Sequence, residues 1–272
     1  MTTPVRVAVL GAGGRMGGEV CRAVAGDAEL TLAAVVDPRL DADVVVRLPG
    51  VDDATLVVGV AVEDLEHAAV DVAVDFTEAA AAAATMRWCA AHAVHAVVGT
   101  TGISPAEVEE LAALFASSAA NCVLAANFSV GAVLLMRLAA LAAPVMAGVE
   151  IVEFHHGAKR DAPSGTAVRT AELIEEARRA AGRGPWPADP TTAEVVAGSR
   201  GAIGAGGIRI HAVRLPGLVS HQEVVFSAEG QSLTLRHDAY DRSAYMPGVL
   251  LAVKAVARRP GLTVGLDPLL GF

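Results

Sequence analysis

The chain has 272 residues, 53% of them hydrophobic, and a formal net charge of −9, which allows one or two domains with substantial cores. The acidic balance and scattered arginines argue against a nucleic-acid binder, which needs clustered Lys and Arg; the apolar runs are too short or, at 130–143, interrupted by Arg137, so no membrane span is expected. Cys21, Cys89 and Cys122 are an odd, widely spaced set without C-x-x-C, which argues against a disulfide framework or zinc ribbon and for reduced thiols in a cytoplasmic protein.

In chain order, Val5–Leu10 is a short apolar strand that runs into Gly11-Ala12-Gly13-Gly14-Arg15-Met16-Gly17, followed by a helical pattern to about residue 25. A glycine-rich turn there lets the backbone approach a pyrophosphate and aims the helix start at it. The sixth position of G-x-G-x-x-G is Met16, whereas Gly11, Gly14 and Gly17 fit a three-residue spacing. A second strand, Leu30–Val36, ends at Asp37, where an acid binds the adenosine ribose hydroxyls. Arg39 leaves a 2′-phosphate, and so NADPH, open, while Asp37 favours NADH on charge grounds. Strands at 70–76, 93–98 and 122–126 then alternate with helices at 78–91 and 104–117. That alternation is an α/β pattern, a doubly wound, Rossmann-like parallel sheet whose post-strand loops hold the ligand. Two of those loops, Gly99-Thr100-Thr101-Gly102 and Ala125-Ala126-Asn127-Phe128-Ser129, join residues 11–17 on one sheet edge.

From residue 130 the pattern changes. After a helix, residues 148–156 alternate apolar and polar and read as a strand delivering His155 and His156 to its end, facing opposite sides. A loop with Lys159 leads to a helix over 166–181 capped by Ser164 or Thr166. Its first amides, near Gly165 and Thr166, have no acceptor within the helix and make an anion site to which Lys159 adds a full charge. Residues 208–214, 221–228 and 232–238 read as strands, the last two joined by a turn at 229–231, so this half is a second, α+β domain. Residues 198–207 read as a glycine-rich loop and 244–258 as a final helix ended by Pro260-Gly261. Arg214 is a further candidate for substrate contact from its strand position alone, and His67, His92, His95 and His237 lack partners at metal-ligand spacing, so no metal is expected.

The segments at 11–17, Val74-Asp75-Phe76-Thr77, 98–102, 126–129, Glu153-Phe154-His155-His156, Lys159, Asp161-Ala162-Pro163-Ser164-Gly165-Thr166 and His211-Ala212-Val213-Arg214 carry a resemblance over nearly the whole chain. The sequence resembles the 4-hydroxy-tetrahydrodipicolinate reductase (dihydrodipicolinate reductase) family, especially its actinobacterial members; H-H-x-x-K-x-D-A-P-S-G-T is its most specific motif. The resemblance implies hydride transfer from NADH or NADPH to C4 of a small dicarboxylate in lysine and diaminopimelate biosynthesis, then protonation of the resulting enamine. It implies a cofactor held by Gly11, Ala12, Gly13, Gly14, Arg15, Met16, Asp37, Gly99, Thr100, Thr101, Ala125, Ala126, Asn127 and Phe128. His155 would be the acid/base and Lys159 the proton donor, with His156, Lys159, Ser164, Gly165 and Thr166 on the substrate. It further implies a homotetramer, with a dinucleotide-binding domain of residues 1–128 plus 240–272 and a substrate-binding and tetramerisation domain of residues 129–239. Pro38 stands where strongly NADPH-using members would carry a basic residue, with Arg39 one position late, so NADH is expected to work well. A sister nicotinamide-dependent dehydrogenase or a noncatalytic NAD(H) sensor would share the front motif but has no reason to combine His155, Lys159 and the Ser-Gly-Thr helix start.

Overall fold

Runs of Val, Ala and Leu that can be buried on both faces build the first sheet. The computed structural model describes residues 3–40 and 56–272. In chain order the elements are β1 (Val5–Leu10), α1 (Arg15–Ala25), β2 (Leu30–Val36), β3 (Val57–Gly59), β4 (Val72–Asp75), α2 (Ala79–Ala91), β5 (His95–Val98), α3 (Pro105–Ala116) and β6 (Cys122–Leu124). There follow α4 (Val130–Ala142), β7 (Gly148–His156), α5 (Gly165–Ala180), β8 (Ala202–Ile203), β9 (Arg209–Leu215), β10 (Ser220–Ala228) and β11 (Gln231–Ala239). The chain ends with α6 (Met246–Ala255), β12 (Leu262–Val264) and α7 (Asp267–Leu270). Two units result: one from the described part of residues 1–129 with Tyr245–Phe272, the other Val130–Ala244.

The first unit is a seven-stranded sheet in the order β12-β6-β5-β4-β1-β2-β3, every neighbouring pair parallel. Strand alternation sends Ala8 and Leu10 of β1 into a core with Met86 of α2 and Leu111 and Phe115 of α3, and Val7 and Val9 to the opposite face. Ala82 and Ala83 of α2 are buried in that core, each with only a methyl group to accommodate. A Ser104 hydroxyl accepting from Glu107 N–H at 3.3 Å, with Pro105 in the first turn, starts α3. Burial pushes the Cys21 thiol up to about 12 and raises Cys89 and Cys122 as well, so all three are protonated.

The second unit is a mixed sheet in the order β11-β10-β7-β9-β8, with β7 at its centre, antiparallel to β10 and parallel to β9. One face carries Ile151, Val224 and Phe226 into a core with Leu135 of α4 and Ile174 of α5. Arg178 fastens the end of α5 by donating to the carbonyls of Ala143 at 3.2 Å and Met146 at 3.1 Å and lying 3.8 Å from the centroid of the Trp186 ring.

The doubly wound parallel sheet and the second, sheet-bearing unit both appear as expected. Periodicity misses β3, β8 and β12, each only two or three residues long, and too short to display a period. β12 follows Pro260-Gly261 and completes the sheet beside β6. Strands expected at 70–76, 93–98 and 122–126 are shorter, β4 being Val72–Asp75, β5 His95–Val98 and β6 Cys122–Leu124, with Ala93 at φ 56 before β5. The final helix, expected as one piece, is α6 between two 3-10 turns, Arg242–Tyr245 and Val256–Arg258.

Candidate active site

In the first unit β1 lies beside β4, and the chain moves outward from this pair in both directions. That is the topological switch point, outside whose carboxyl ends ligands bind in open α/β sheets. Gly11 has φ 77 and its carbonyl accepts from Gly14 N–H at 2.9 Å. A Cβ on Gly17 would lie 2.1 Å from the Gly11 carbonyl oxygen, so Gly17 is the close-approach glycine of this turn. Its neighbour Met16 occupies the usual position of that glycine without blocking the contact. At the start of α1, the Gly14 N-cap supplies no side chain to the first amides and the first turn holds no acid, which leaves the helix start suited to a phosphate.

Asp37 follows β2 and is 1% exposed. Its carboxylate accepts from Gly13 N–H at 3.1 Å and from Arg39 at three atoms, N at 2.9 Å, Nε at 3.0 Å and Nη2 at 2.9 Å. The Arg39 hydrogen bond, only partly offset by burial, holds the Asp37 carboxyl below its ordinary value. Arg39 itself is 72% exposed, a guanidinium at the mouth of the loop with one face on the acid. The glycine cradle and an acid tied to Gly13 fit the pyrophosphate and ribose of a dinucleotide.

Gly99, Thr100 and Thr101 lie in the loop after β5, and Ala125, Ala126, Asn127 and Phe128 in the loop after β6, on the same carboxyl edge as residues 11–16 and Asp37. Asp75 braces this edge from beneath: fully buried, it accepts from Thr77 N–H at 2.8 Å and Thr77 Oγ1 at 2.6 Å, with Thr100 Oγ1 at 3.4 Å. Phe128 is buried, its ring 5.8 Å from that of Phe76, so it offers a ligand its backbone rather than its ring.

The second cluster lies wholly in the other unit, at the carboxyl end of β7. His155 pairs in register with Arg214 of β9 on one side and Ser220 of β10 on the other. Glu153, two residues earlier, shares its face, and is 0% exposed. One Glu153 oxygen lies 2.6 Å from His155 Nδ1 and 2.7 Å from Arg214 Nη1; the other accepts from Arg214 Nη2 at 2.7 Å and Ser164 N–H at 3.0 Å. Burial alone would raise the Glu153 carboxyl, but Arg214, His155 and Ser164 N–H together hold it below its ordinary value. Burial also lowers His155, against the pull of Glu153.

Ser164 is the N-cap of α5, its hydroxyl accepting from Ala167 N–H at 3.2 Å. Gly165 and Thr166 open the helix, and beyond its chain neighbours and the helix's own backbone no atom lies within 4 Å of where a Gly165 Cβ would be, so a ligand can approach the backbone there. Lys159 Nζ donates to both carboxylate oxygens of Asp161, at 2.9 and 2.7 Å. His156, the last residue of β7, pairs with Leu215 and by alternation starts on the other face from His155.

Strand geometry gives three further residues their roles. Glu153 was visible as the residue two before His155 on a strand, the one available signal of a shared face. Arg214, a candidate for substrate contact, clamps Glu153 and donates to the Asp161 carbonyl at 2.8 Å; only strand register reveals that. Ser220 Oγ lies 3.1 Å from His155 Nε2, a contact made across antiparallel strands far apart in sequence. The result is an imidazole held on one nitrogen by a buried carboxylate, an ammonium and a helix start, a set able to bind an anion and move a proton.

Comparison with known proteins decides the family. The model for "Dihydrodipicolinate reductase, N-terminus" matches residues 5–128, and that for "Dihydrodipicolinate reductase, C-terminus" matches residues 131–270. The chain belongs to the dihydrodipicolinate reductase family. Within that family it is 46% identical over 267 residues to the 4-hydroxy-tetrahydrodipicolinate reductase of Nocardia farcinica (strain IFM 10152), covering 98% of each chain. It is 44% identical over 264 residues to that of Streptomyces coelicolor (strain ATCC BAA-471 / A3(2) / M145), covering 97% of this chain and 96% of the relative. The solved structure of dipicolinate-bound dihydrodipicolinate reductase from Paenisporosarcina sp. TG-14 superposes with a TM-score of 0.85 at 36% identity, covering 98% of this chain and 99% of that one. Family membership makes the chain an oxidoreductase with a nicotinamide cofactor and sets aside the sister-dehydrogenase and sensor readings. No helix among the described residues is long and apolar enough to cross a membrane.

Proposed function

We propose that the chain catalyses reduction of 4-hydroxy-tetrahydrodipicolinate to tetrahydrodipicolinate in lysine and diaminopimelate biosynthesis, as a cytoplasmic homotetramer. The observation that carries this reading is that one buried carboxylate, Glu153, holds both His155 and the amino end of α5, so a proton-handling ring and an anion site share one anchor. The family names and a relative whose solved structure holds dipicolinate support a dicarboxylate substrate.

Residues 11–16, Asp37, 99–101 and 125–128 would hold the cofactor. When bound, the nicotinamide supplies a hydride to C4 of the conjugated imine, after or together with loss of the 4-hydroxyl. The chain's residues do the rest. The amides of Gly165 and Thr166, with His156, take one carboxylate, and Lys159 binds the substrate's anionic side, where an incoming carboxylate competes with exposed Asp161 for the ammonium. His155 and Lys159 hold and deliver the proton that the enamine left by hydride addition takes up at the carbon next to C4. Asp37 accepts from ribose hydroxyls, which suits NADH; Arg39, by neutralising part of that carboxylate's charge and facing solvent, also admits a 2′-phosphate. Both cofactors are therefore substrates, with NADH working well.

The test is oxidation of NADH and NADPH by the purified protein, with the substrate generated from pyruvate and aspartate semialdehyde by the upstream synthase. Turnover that is lost in Lys159→Ala is the expected result. Binding of NADH without turnover of either cofactor would end the reading.

A further inference from the structure

The hydrogen bonds around Glu153 reach beyond holding a loop in place. A carboxylate accepts hydrogens only, and the guanidinium of Arg214 lies across both of its oxygens at 2.7 Å. With the carboxyl held in its ionised form by that cation, the nitrogen 2.6 Å away, His155 Nδ1, carries the hydrogen. Neutral imidazole has one hydrogen, so His155 Nε2 is then bare. Its neighbour 3.1 Å away is the Ser220 hydroxyl, which can donate to a bare nitrogen. Both contacts of the ring therefore agree on one tautomer, and neither requires the ring to move.

We propose that Glu153 is a positioning residue for the reduction: it fixes His155 as the Nδ1–H tautomer, so that Nε2 is the atom that takes up and delivers the proton, with Ser220 steadying that atom. The same carboxylate, through Ser164 N–H, ties the amino end of α5 to the ring, so orientation of the proton donor and of the anion site are set together. Arg214 keeps the buried acid ionised and, through the Asp161 carbonyl, ties in the loop that carries Lys159. The charged groups that act on the ring are Glu153 on its own strand, Arg214 on β9 and Lys159 in the following loop, with the uncharged Ser220 on β10. Lys159 and Arg214 disfavour a charged ring and Glu153 favours it, so removing the Glu153 charge leaves two opposing cations unbalanced.

This inference rests on the proposed reaction only for its kinetic arm. In the full-length wild-type protein without substrate, the nitrogen shifts of His155 should report a protonated Nδ1 and an unprotonated Nε2 above its titration; the opposite tautomer would overturn the proposal. In Glu153→Gln, His155 should titrate at lower pH than in the wild type. The variant's kcat should fall by about tenfold or more with the KM for NADH within twofold, and the pH at which kcat declines should move in the same direction as the titration. A folded Glu153→Gln whose His155 titration and kcat profile match the wild type would reduce Glu153 to a structural buttress. The wild-type tautomer decides the question even when the variant does not fold. The expected tautomer and titration shift, together with no turnover of the proposed substrate, would uphold the control of the His155 tautomer by Glu153 and remove the reaction it serves.

Discussion

Lys159 and Arg39 are each paired with an aspartate two positions away, and in both pairs the cation is the partner a ligand would take over. Lys159→Ala should lower turnover by ~10²-fold or more while leaving NADH affinity within about twofold of wild type, since proton transfer contributes on that scale; stopped-flow turnover beside NADH titration checks both halves. Arg39→Ala removes the cation that pairs with Asp37 and leaves that carboxylate uncompensated against a 2′-phosphate. The kcat/KM for NADPH should then drop by roughly tenfold relative to NADH, about the worth of one charge-assisted contact, as read from initial rates with each cofactor; an unchanged ratio would mean Arg39 plays no part in cofactor choice. At this scale the sequence was legible wherever a residue type is chemically unusual in its place. His155, Lys159 and Asp37 stand out in print. Glu153, Arg214 and Ser220 do not, because their meaning lies in strand pairing: Arg214 and Ser220 become neighbours of His155 only through the registers of β9 and β10.

Among the elements, two helix starts carry the proposed ligands and are built differently. The start of α1 depends on a bare backbone, so Gly17→Ala, which would set a methyl 2.1 Å from the Gly11 carbonyl, should destabilise the protein by about 1–3 kcal/mol as an overpacked contact. NADH affinity should fall with it, read by thermal melts and fluorescence titration. The start of α5 depends on a side chain instead. Ser164→Ala deletes the cap that accepts from Ala167 N–H, at a cost of about 1 kcal/mol, and should weaken dipicolinate binding by calorimetry more than it weakens NADH binding; equal losses of both would argue that the helix start has no special tie to the dicarboxylate. Elements of six or more residues with apolar periodicity were readable, β1, β2, α3 and α5 among them. The three-residue β3 and β12 were not, since what makes them strands is a neighbour's open edge rather than anything in their own composition.

The whole molecule should lose stability on mild acidification. His95, His155 and His237 are all held below their ordinary value by burial, so the unfolded chain takes up protons first as pH falls through the ordinary histidine range near 6.5. The stability they contribute is complete above that value and is lost as pH drops through their lower folded values. Glu153, likewise depressed, extends the loss through the carboxylate range below about 4.5. Calorimetric melts should therefore show a lower Tm at pH 5.5 than at pH 7.5, with a flat profile counting against the buried-histidine account.

Because the first sheet closes with β12, a strand from the last dozen residues that pairs with β6, its assembly on the ribosome is out of step with synthesis. All of Val130–Ala244 emerges while β6 still presents an unpaired hydrogen-bonding edge, for seconds at ordinary elongation rates. The intervening unit is continuous and can finish first, whereas the unit begun first is completed last. An early stop before Leu262 would strip the partner from β6 and leave a short apolar edge open to other chains, so nascent-chain quality control has a specific strand to watch.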